Sequence, residues 1–389
     1  MKHPKFILFI IVISQFFCTS LWFAGNGIIN DLIAFFSLKS TDLAHLTSAV
    51  QFGFISGTLV FALFTIADRF SPSKVFFLCA VLGAFFNFSI NFNGNTIGSL
   101  LLFRFLTGFF LAGIYPVGMK IATDYFKEGL GTSLGFLVGA LVLGTALPHL
   151  LKDLFTNFKW QTIVNTTSSL SILGGFFMLL LVPNGPYRKK AKKLNLSVCL
   201  NVFKNINFRK AAFGYFGHMW ELYAFWVFVP VILEIYSSKQ QITHFNIPLL
   251  SFLIIGIGSL ACVLGSFVAI KFGAKKTAFY ALTLSCLCCI VSPLFFIIDN
   301  EVIFIIFLLF WGMVVIADSP LLSTLVAKNA PEKDRGTALT IVNCLGFSIT
   351  IISIQLIGYL RVEFSEILIF VFLAIGPIIG LFSLRKSKS

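Results

Sequence analysis

The stretch ADRFSPSK, residues 67–74, has a partial copy in AIKFGAKK, residues 269–276, which begins 202 residues later. Another pair, LGTSLG at residues 130–135 and RGTALT at residues 335–340, is separated by 205 residues. Self-similarity at a nearly constant offset indicates that one structural unit occurs twice in a chain. The sequence therefore predicts two homologous halves, and hydropathy indicates what each half contains.

The composition is that of a membrane protein. Of the 389 residues, 58% are hydrophobic and 11% are charged, whereas soluble domains carry roughly a quarter charged residues. A helix needs about 20 mostly apolar residues to cross roughly 30 Å of hydrocarbon, and the strands of membrane barrels are only about ten residues long. Twelve continuous runs of helical length occur, at residues 6–29, 42–67, 74–93, 96–122, 131–151, 160–182, 211–235, 247–270, 277–298, 302–327, 337–360 and 364–384.

These runs predict an all-α polytopic membrane protein with twelve transmembrane helices, six in each half. The first bundle covers residues 1–184, a basic cytoplasmic linker covers 185–210, and the second bundle covers 211–389. The first run follows MKHPK and is too long for a secretory signal peptide, so it is expected to be an uncleaved first helix.

Lysine and arginine are unevenly divided between the two sides of the membrane. With a cytoplasmic amino terminus, 23 of the 29 fall on the cytoplasmic side, five fall outside, and Arg104 lies within a helix. This asymmetry predicts that both termini are inside a cytoplasmic (inner) membrane. The formal net charge of +14 then reflects orientation, and it predicts attraction to anionic lipids at the cytoplasmic face and no binding of nucleic acid.

Residue types that carry enzymatic or metal chemistry are sparse and scattered. The five histidines lie in different segments, without a nucleophile elbow, an HExxH pair or a phosphate-binding loop. Seven of the eight cysteines fall inside predicted helices, where they are expected to be small buried apolar residues. We therefore expect no enzymatic activity, cofactor, metal site or direct use of ATP.

Two motifs resemble signatures of the major facilitator superfamily of secondary transporters, and the resemblance covers essentially the whole chain. ADRFSPSK resembles the signature between helices 2 and 3, with matching residues Asp68, Arg69 and Lys74. RFLTGFFLAG, residues 104–113, resembles the helix 4 signature through Arg104, Gly108 and Gly113.

The resemblance implies a carrier of a small solute, driven by protons, whose two pseudo-twofold-related bundles expose a site between them alternately to either side. The carrier is expected to be monomeric. A drug or metabolite efflux antiporter is an alternative, although Gly139-Ala140 stands where that signature expects Gly-Pro. A nitrate-like anion porter would be expected to carry arginines in helices 2 and 8, which here have none. A channel and a non-transporting scaffold or sensor also remain open, as does the direction of transport.

GHMWELYAFW, residues 217–226, places two ionisable side chains inside predicted helix 7. Glu221 lies ten residues after Ala211, roughly 15 Å along the helix and near the midplane. A charged group at this depth costs at least about 2.5 kcal/mol and normally faces a cavity or a partner. His218 lies one turn nearer the cytoplasm on the same face. Glu221 is predicted to bind the coupling proton and His218 to tune or relay it. The alternatives are permanent pairing of Glu221 with a cation in the other half and a structural role as a protonated hydrogen-bond donor.

Asp318 is a third ionisable candidate, in predicted helix 10. It lies roughly 22 Å from Ile303 along the helix, beyond the midplane toward the cytoplasm. Pro320 is expected to interrupt this helix, as Pro116 is expected to do in helix 4, and to free backbone carbonyls. Asp318 is predicted to be a second proton site or an inner gate, and capping of the broken helix is the alternative.

Arg104 is predicted to lie about 12 Å deep in the outer half of helix 4, where a cation needs a counter-charge or a ring of carbonyl and amide groups. Gln51 in helix 2 and Asn26 in helix 1 are its expected neighbours. These three residues are predicted to bind substrate, and the resemblance to the superfamily implies that Arg104 influences proton transfer or binds an anionic group. Tyr223 is predicted to form a wall of the cavity, and Trp220 is a weaker candidate for that role.

Charged residues at the cytoplasmic edge are predicted to form a gate. The carboxylate of Asp68 is expected to meet the amino-terminal end of helix 11 near Arg335, because a helix start favours a nearby negative charge by about 0.3–1 kcal/mol. Arg69 and Lys74 belong to the same predicted gate, and a role in setting the topology is their alternative.

Overall fold

A computed structural model describes residues 4–126, 130–188, 201–332, 335–364 and 366–385. Within these ranges the chain forms helices and turns and no strand, which confirms the all-α class. The chain divides into two compact units, Met1–Lys193 and Leu194–Ser389. The division falls inside the range predicted to be the linker, of which residues 189–200 lie outside the described residues.

The N-terminal unit is built around its first helix. Its described helices are α1 (Pro4–Thr19), α2 (Ile29–Phe36), α3 (Asp42–Leu63), α4 (Ile66–Arg69), α5 (Pro72–Phe88), α6 (Ile97–Leu111), α7 (Tyr115–Tyr125), α8 (Leu130–Leu154) and α9 (Gln161–Leu181). α1 packs against α8 and α9, α3 packs against α6, and α5 packs against α6 and α9.

The C-terminal unit is built around one long helix. Its described helices are α10 (Ile206–Lys239), α11 (Ile247–Gly256), α12 (Gly258–Phe272), α13 (Ala274–Ile297), α14 (Glu301–Ala317), α15 (Ser319–Asn329), α16 (Arg335–Glu363) and α17 (Ile375–Leu384), the last preceded by a 3₁₀ helix, Ile369–Ala374. α10 packs against α15, α16 and α17, and α13 packs against α14. Any ionisable residue in the middle of α10 is therefore enclosed by neighbouring helices.

Ten helical stretches of the described residues are long and apolar enough to cross a membrane. They coincide with the ten predicted runs from residues 42–67 through residues 337–360, both included. The first and last predicted runs coincide only with shorter apolar helices, at Lys5–Thr19, Asn26–Phe36 and Ile369–Leu384. Large apolar side chains such as Phe52 and Leu260 stay exposed, as expected for helices that face lipid.

The prediction of one continuous helix over residues 6–29 is wrong. α1 ends at Thr19, and a series of turns connects it to α2, which begins at Ile29. The hydroxyl of Thr19 donates to a backbone carbonyl one turn earlier, and such local bonds compete with regular helix. Gly25 and Gly27 follow, and glycine disfavours a helix by about 1 kcal/mol relative to alanine. The interrupted segment, residues 20–28, supplies backbone groups to the site described below.

The two units repeat the same pair of interrupted helices. α14 and α15 begin 204 residues after α6 and α7, respectively. Each interruption is followed by a proline, Pro116 in α7 and Pro320 in α15, at one of the first two helical positions. Proline is tolerated there because the amide hydrogen it lacks would have no partner within the helix. The breaks predicted at both prolines are confirmed.

The closest helix crossing also recurs in both units. A methyl group on Gly108 of α6 would lie 2.0 Å from the carbonyl oxygen of Val50 on α3, and one on Gly312 of α14 would lie 2.0 Å from that of Ile254 on α11. The two glycines are 204 residues apart, like the helices that carry them. Only glycine allows these backbones to approach so closely.

Candidate functional site

Glu221 lies in a buried cluster of hydrogen-bond donors in the C-terminal unit. Its side chain on α10 is 1% exposed. The indole Nε1 of Trp311 donates to Oε1 at 2.7 Å, and Sγ of Cys289 lies 3.2 Å from the same oxygen. The hydroxyl of Ser285 donates to Oε2. Neighbours on α13 and α14 thus contact both oxygens of the carboxylate.

The spacing of these partners explains how two helices converge on one carboxylate. Ser285 and Cys289 are four residues apart on α13, so they project from one helical face. Trp311 lies on α14, which packs against α13. Hydrogen bonds to a charged acceptor contribute about 1.5–3 kcal/mol each, so the cluster offsets part of the cost of burying the carboxylate. Among the residues of the C-terminal unit that the structure describes, Glu221 makes no ion pair, and the alternative of a cation in the other half stays open.

The cluster also provides for the protonated form of Glu221. An indole N–H can only donate, whereas a serine hydroxyl can donate or accept. When Glu221 is ionised, the hydroxyl of Ser285 donates a hydrogen bond to it. When Glu221 is protonated, rotation of that hydroxyl lets its oxygen accept a hydrogen bond from the carboxyl group. Both charge states therefore find a partner without movement of a helix.

His218 pairs with Asp318. Nδ1 of His218 lies 2.8 Å from Oδ1 of Asp318, and both side chains are 1% exposed. The break after α14 brings Asp318 against α10 and so produces this contact. That His218 tunes or relays the proton of Glu221 stays a prediction. The two residues on α10 are still only about one helical turn apart.

The alternative role of Asp318 as a helix cap is wrong. Asp318 precedes α15 at the N-cap position, but its side chain makes no capping hydrogen bond there. Within the described residues, neither carboxylate oxygen of Asp318 receives an aligned hydrogen bond, and Nε2 of His218 has no hydrogen-bond partner. The pair is thus a close contact between ionisable groups with unused hydrogen-bonding capacity.

Arg104 is held by neutral groups in the N-terminal unit. Its side chain is 2% exposed, and its terminal nitrogens donate to Oδ1 of Asn87 at 3.2 Å and to the carbonyls of Leu21 at 3.1 Å and Trp22 at 2.5 Å. The two carbonyls belong to the interrupted segment, residues 20–28. The predicted ring of carbonyl and amide acceptors is confirmed, and the break in the first predicted helix is what supplies it.

The prediction that Gln51 and Asn26 contact Arg104 is wrong. Asn26 donates instead to the hydroxyl of Thr47 at 2.8 Å, and neither side-chain atom of Gln51 has a hydrogen-bond partner among the described residues. Asn87, the amide that does contact Arg104, lies on α5, 202 residues before Cys289. That separation equals the offset of the repeated motif, so corresponding positions of α5 and α13 contact the buried charge in each unit. The repeat was the signal that could have identified Asn87.

The two aromatic candidates on α10 lie in different surroundings. The ring of Tyr223, 2% exposed, packs at 5.3 Å from the rings of both Trp226 and Phe347. The indole of Trp220 donates to the carbonyl of Phe372 at 3.1 Å, so it packs toward the 3₁₀ helix before α17. Residues 220 and 221 project about 100° apart on a helix, which separates Trp220 from the Glu221 cluster.

The predicted gate residues also have contacts within their own units. Nζ of Lys120 lies 2.6 Å from Oδ1 of Asp68 and 3.8 Å from Oδ1 of Asp124, so Asp68 is its nearer partner. Nε of Arg69 donates to Thr65 at 3.2 Å, and Lys74 is exposed. Nε of Arg335 donates to the carbonyl of Ala327 at 3.0 Å. The predicted contact of Asp68 with the start of α16 joins the two units and stays a prediction.

The cysteines belong to the apolar interior. The seven described cysteines are buried and free, as predicted, and Cys199 lies outside the described residues. Within the described ranges, no group of three or more His, Cys, Asp or Glu residues is placed to hold a metal ion. Cys289 is the member of the set that contacts an ionisable group.

Repeated bundles of membrane-length helices that enclose buried ionisable side chains define a multi-pass membrane protein. The sequence profile of the Major Facilitator Superfamily matches residues 7–354. The chain therefore belongs to the Major Facilitator Superfamily, as its motifs predict, and is a secondary transporter.

Solved structures of transporters have the same fold over nearly the whole chain. A bacterial homolog of the human lysosomal transporter Spinster, inward-facing and unoccupied, has 13% identity and a TM-score of 0.74, with 100% of both chains covered. The human organic anion transporter MFSD10 (TETRAN) has 12% identity and a TM-score of 0.77, with 99% of this chain and 100% of that chain covered. A mutant of the nucleoside transporter NupG has 15% identity and a TM-score of 0.74, with 98% and 99% covered. Such identities show the fold alone. No curated protein matches the sequence.

Proposed function

We propose that the chain is a proton-coupled transporter of a small solute, working by alternating access, in which Glu221 carries the coupling proton. The observation that supports it is the set of neutral donors around Glu221, which includes a hydroxyl able to serve either charge state. The proposal includes twelve transmembrane helices, a cytoplasmic (inner) membrane location, and both termini inside, as the distribution of lysine and arginine predicts.

His218 and Asp318 form the proposed second step of the proton path. A neutral imidazole accepts a proton on one nitrogen while the other stays protonated. Nδ1 of His218 faces Asp318, which leaves Nε2 for exchange with a proton donor or acceptor. Since His218 is one turn from Glu221 on α10, a proton released by Glu221 has a short route to the His218–Asp318 pair.

Substrate contacts are proposed for both units. Gln51, Asn26 and Tyr223 keep the substrate-binding role that the sequence predicts, with Trp220 as a weaker member. Arg104 donates three hydrogen bonds to protein acceptors, so we assign it to fixing the interrupted segment 20–28. Asp68, Arg69, Lys74 and Arg335 remain the proposed cytoplasmic gate, and Lys120 joins them through its contact with Asp68.

Transport measurements on matched carboxylate variants test the proton role. A solute that stabilises the purified protein in a thermal-shift screen is loaded into proteoliposomes with and without an imposed pH gradient. Glu221→Gln resembles the protonated state, so it is expected to retain solute exchange and to lose accumulation driven by the gradient. Glu234→Gln changes a half-buried carboxylate on the same helix and is expected to keep both activities. Undiminished response of Glu221→Gln to the gradient would contradict the proposal.

A further inference from the structure

The N-terminal unit buries polar groups that no described residue satisfies. Gln15 on α1, Gln51 on α3, and Thr145 and His149 on α8 are each at most 3% exposed. Both amide atoms of the two glutamines, Oγ1 of Thr145 and Nε2 of His149 have no hydrogen-bond partner among the residues that the structure describes. Burying polar atoms without partners is costly. Buried polar atoms of this kind are satisfied by ordered water or by a bound polar molecule that takes its place.

The α3 member of this group faces the interrupted segment, residues 20–28. The rings of Trp22 and Phe54 lie 4.8 Å apart, and Asn26 donates to Thr47 at 2.8 Å. Gln51 lies between Thr47 and Phe54 at helical spacings of four and three residues, so it shares their face of α3. The two contacts therefore place Gln51 beside the interrupted segment.

The α8 members border the same segment from another helix. A methyl group on Gly27 would lie 2.9 Å from Cβ of Pro148, so α8 packs directly against the interrupted segment. Thr145 and His149 lie three positions before and one position after Pro148. Gln15 lies one turn before the end of α1, and a methyl group on Gly118 of α7 would meet its Oε1. The helices α1, α3 and α8 therefore each carry unpartnered groups within about two helical turns of the interrupted segment.

The chemistry of these groups favours one class of solute. The free atoms are amide oxygens, amide nitrogens, a hydroxyl and an imidazole nitrogen, all of them able to bind an uncharged partner. The nearby cation, Arg104, already directs its terminal nitrogens to two carbonyls and Asn87, so it presents no free pair of donors to a carboxylate or phosphate. Because these neutral donors and acceptors have no hydrogen-bond partner among the described residues, they favour a solute that carries both acceptor and donor groups.

We infer that Gln15, Gln51, Thr145 and His149 form a subsite for an uncharged polar solute with several hydroxyl, carbonyl or amide groups. This inference rests on the proposed transport function and names the class of its substrate. It assigns Gln51 to the solute itself and adds three residues that the motifs of the chain do not indicate.

A stability measurement tests the subsite without knowledge of the solute. Gln51→Met and Gln15→Met keep the side-chain length and remove the unpartnered atoms, so each is expected to raise the melting temperature of the solute-free protein by about 2–4 °C. Asn26→Leu, which removes an amide that has a partner, is the matched control and is expected to lower it. Lower melting temperatures for both methionine variants would show that the glutamines have structural partners and would overturn the inference.

A ligand panel tests the solute class. The probes are neutral and charged compounds on one scaffold: glycerol with glycerol 3-phosphate, D-glucose with D-glucuronate and D-glucosamine, and uracil with orotate. A neutral member is expected to stabilise the protein in a thermal-shift assay, and Gln51→Met is expected to weaken its apparent affinity about tenfold or more. Stabilisation by charged members only, by no member, or equally in Gln51→Met overturns the assignment.

The same panel separates this inference from the proton role. Glu221→Gln is expected to keep the thermal shift of the neutral solute, because the subsite lies in the other unit. If Glu221→Gln loses gradient-driven accumulation while Gln51→Met binds normally, the subsite is wrong and proton coupling stands. If Gln51→Met loses binding while Glu221→Gln still responds to the gradient, the subsite stands and the proton role is wrong.

Discussion

Nδ1 of His218 and Oδ1 of Asp318 lie 2.8 Å apart in the interior of the C-terminal unit, although the residues are 100 positions apart in the sequence. The contact joins the middle of α10 to the interruption between α14 and α15. Removal of one partner of a buried polar contact leaves the other group without its partner, which costs about 1–3 kcal/mol. Single and double substitutions of this pair therefore have different expected outcomes.

Asp318→Asn and His218→Gln are each expected to reduce gradient-driven transport about tenfold or more, as loss of a positioned acid or base does. Each single variant is also expected to melt at a lower temperature, and the double variant is expected to regain stability without regaining transport. Transport in proteoliposomes and thermal unfolding are the measurements. His244→Gln removes a comparable histidine–carboxylate contact, 2.9 Å from Glu301, at an exposed position, and no effect is expected there. A double variant with normal coupling would exclude the pair from the proton path.

Ser285→Ala and Trp311→Phe are expected to affect different charge states of Glu221. Trp311→Phe removes a donor that binds the charged carboxylate more strongly than the neutral carboxyl group, so the pH midpoint of transport is expected to move upward by about one unit. Ser285→Ala removes the group that serves both states, so the rate is expected to fall with a smaller change of midpoint. Initial rates of solute uptake between pH 5 and 9 provide the test. Identical pH profiles for the two variants would contradict the assigned roles.

Arg104→Lys is expected to destabilise the N-terminal unit by about 2–4 kcal/mol, because an ammonium group cannot reach Asn87 and both carbonyls of the interrupted segment together. The loss is read as a lower melting temperature in detergent and a reduced yield of folded protein. Arg361→Lys changes a partly exposed arginine that lies 3.8 Å from Glu366, and an effect within about 0.5 kcal/mol is expected. Equal melting temperatures for the two variants would show that the carbonyl contacts contribute little.

Gly108→Ala and Gly312→Ala are expected to prevent normal packing of their units. In each case the added methyl group would lie 2.0 Å from a backbone oxygen of the neighbouring helix, and backbone cannot move aside cheaply. Gly131→Ala is the matched control, since a methyl group there meets no atom within 4 Å and alanine favours helix by about 1 kcal/mol. Yield of monodisperse protein measures the effect; normal yield of both crossing variants would refute the close approach.

Several features of the site follow from residue type and depth. Glu221, His218 and Asp318 stand out because ionisable groups are rare within apolar runs, and all three are buried as expected. Pro116 and Pro320 identify the helix interruptions because proline lacks the amide hydrogen that a continuing helix needs. The hydrogen-bond partners of the buried charges could not be predicted from residue type and depth. Ser285, Cys289, Trp311 and Asn87 are ordinary residues of apolar helices until the neighbouring helix is known.

The sequence by itself determined the membrane class, the repeated halves and the family, because hydropathy and motif spacing are properties of contiguous residues. Only the tertiary structure decided that His218 meets Asp318, that Arg104 meets the carbonyls of residues 21 and 22, and that Gln51 stays unpartnered among the described residues. Each of these contacts depends on the rotation of one helix against another and on where a helix is interrupted. A shift of one residue in the facing position or in the interruption of a helix turns a side chain by about 100°. The sequence of an apolar run of 20 residues does not specify that rotation.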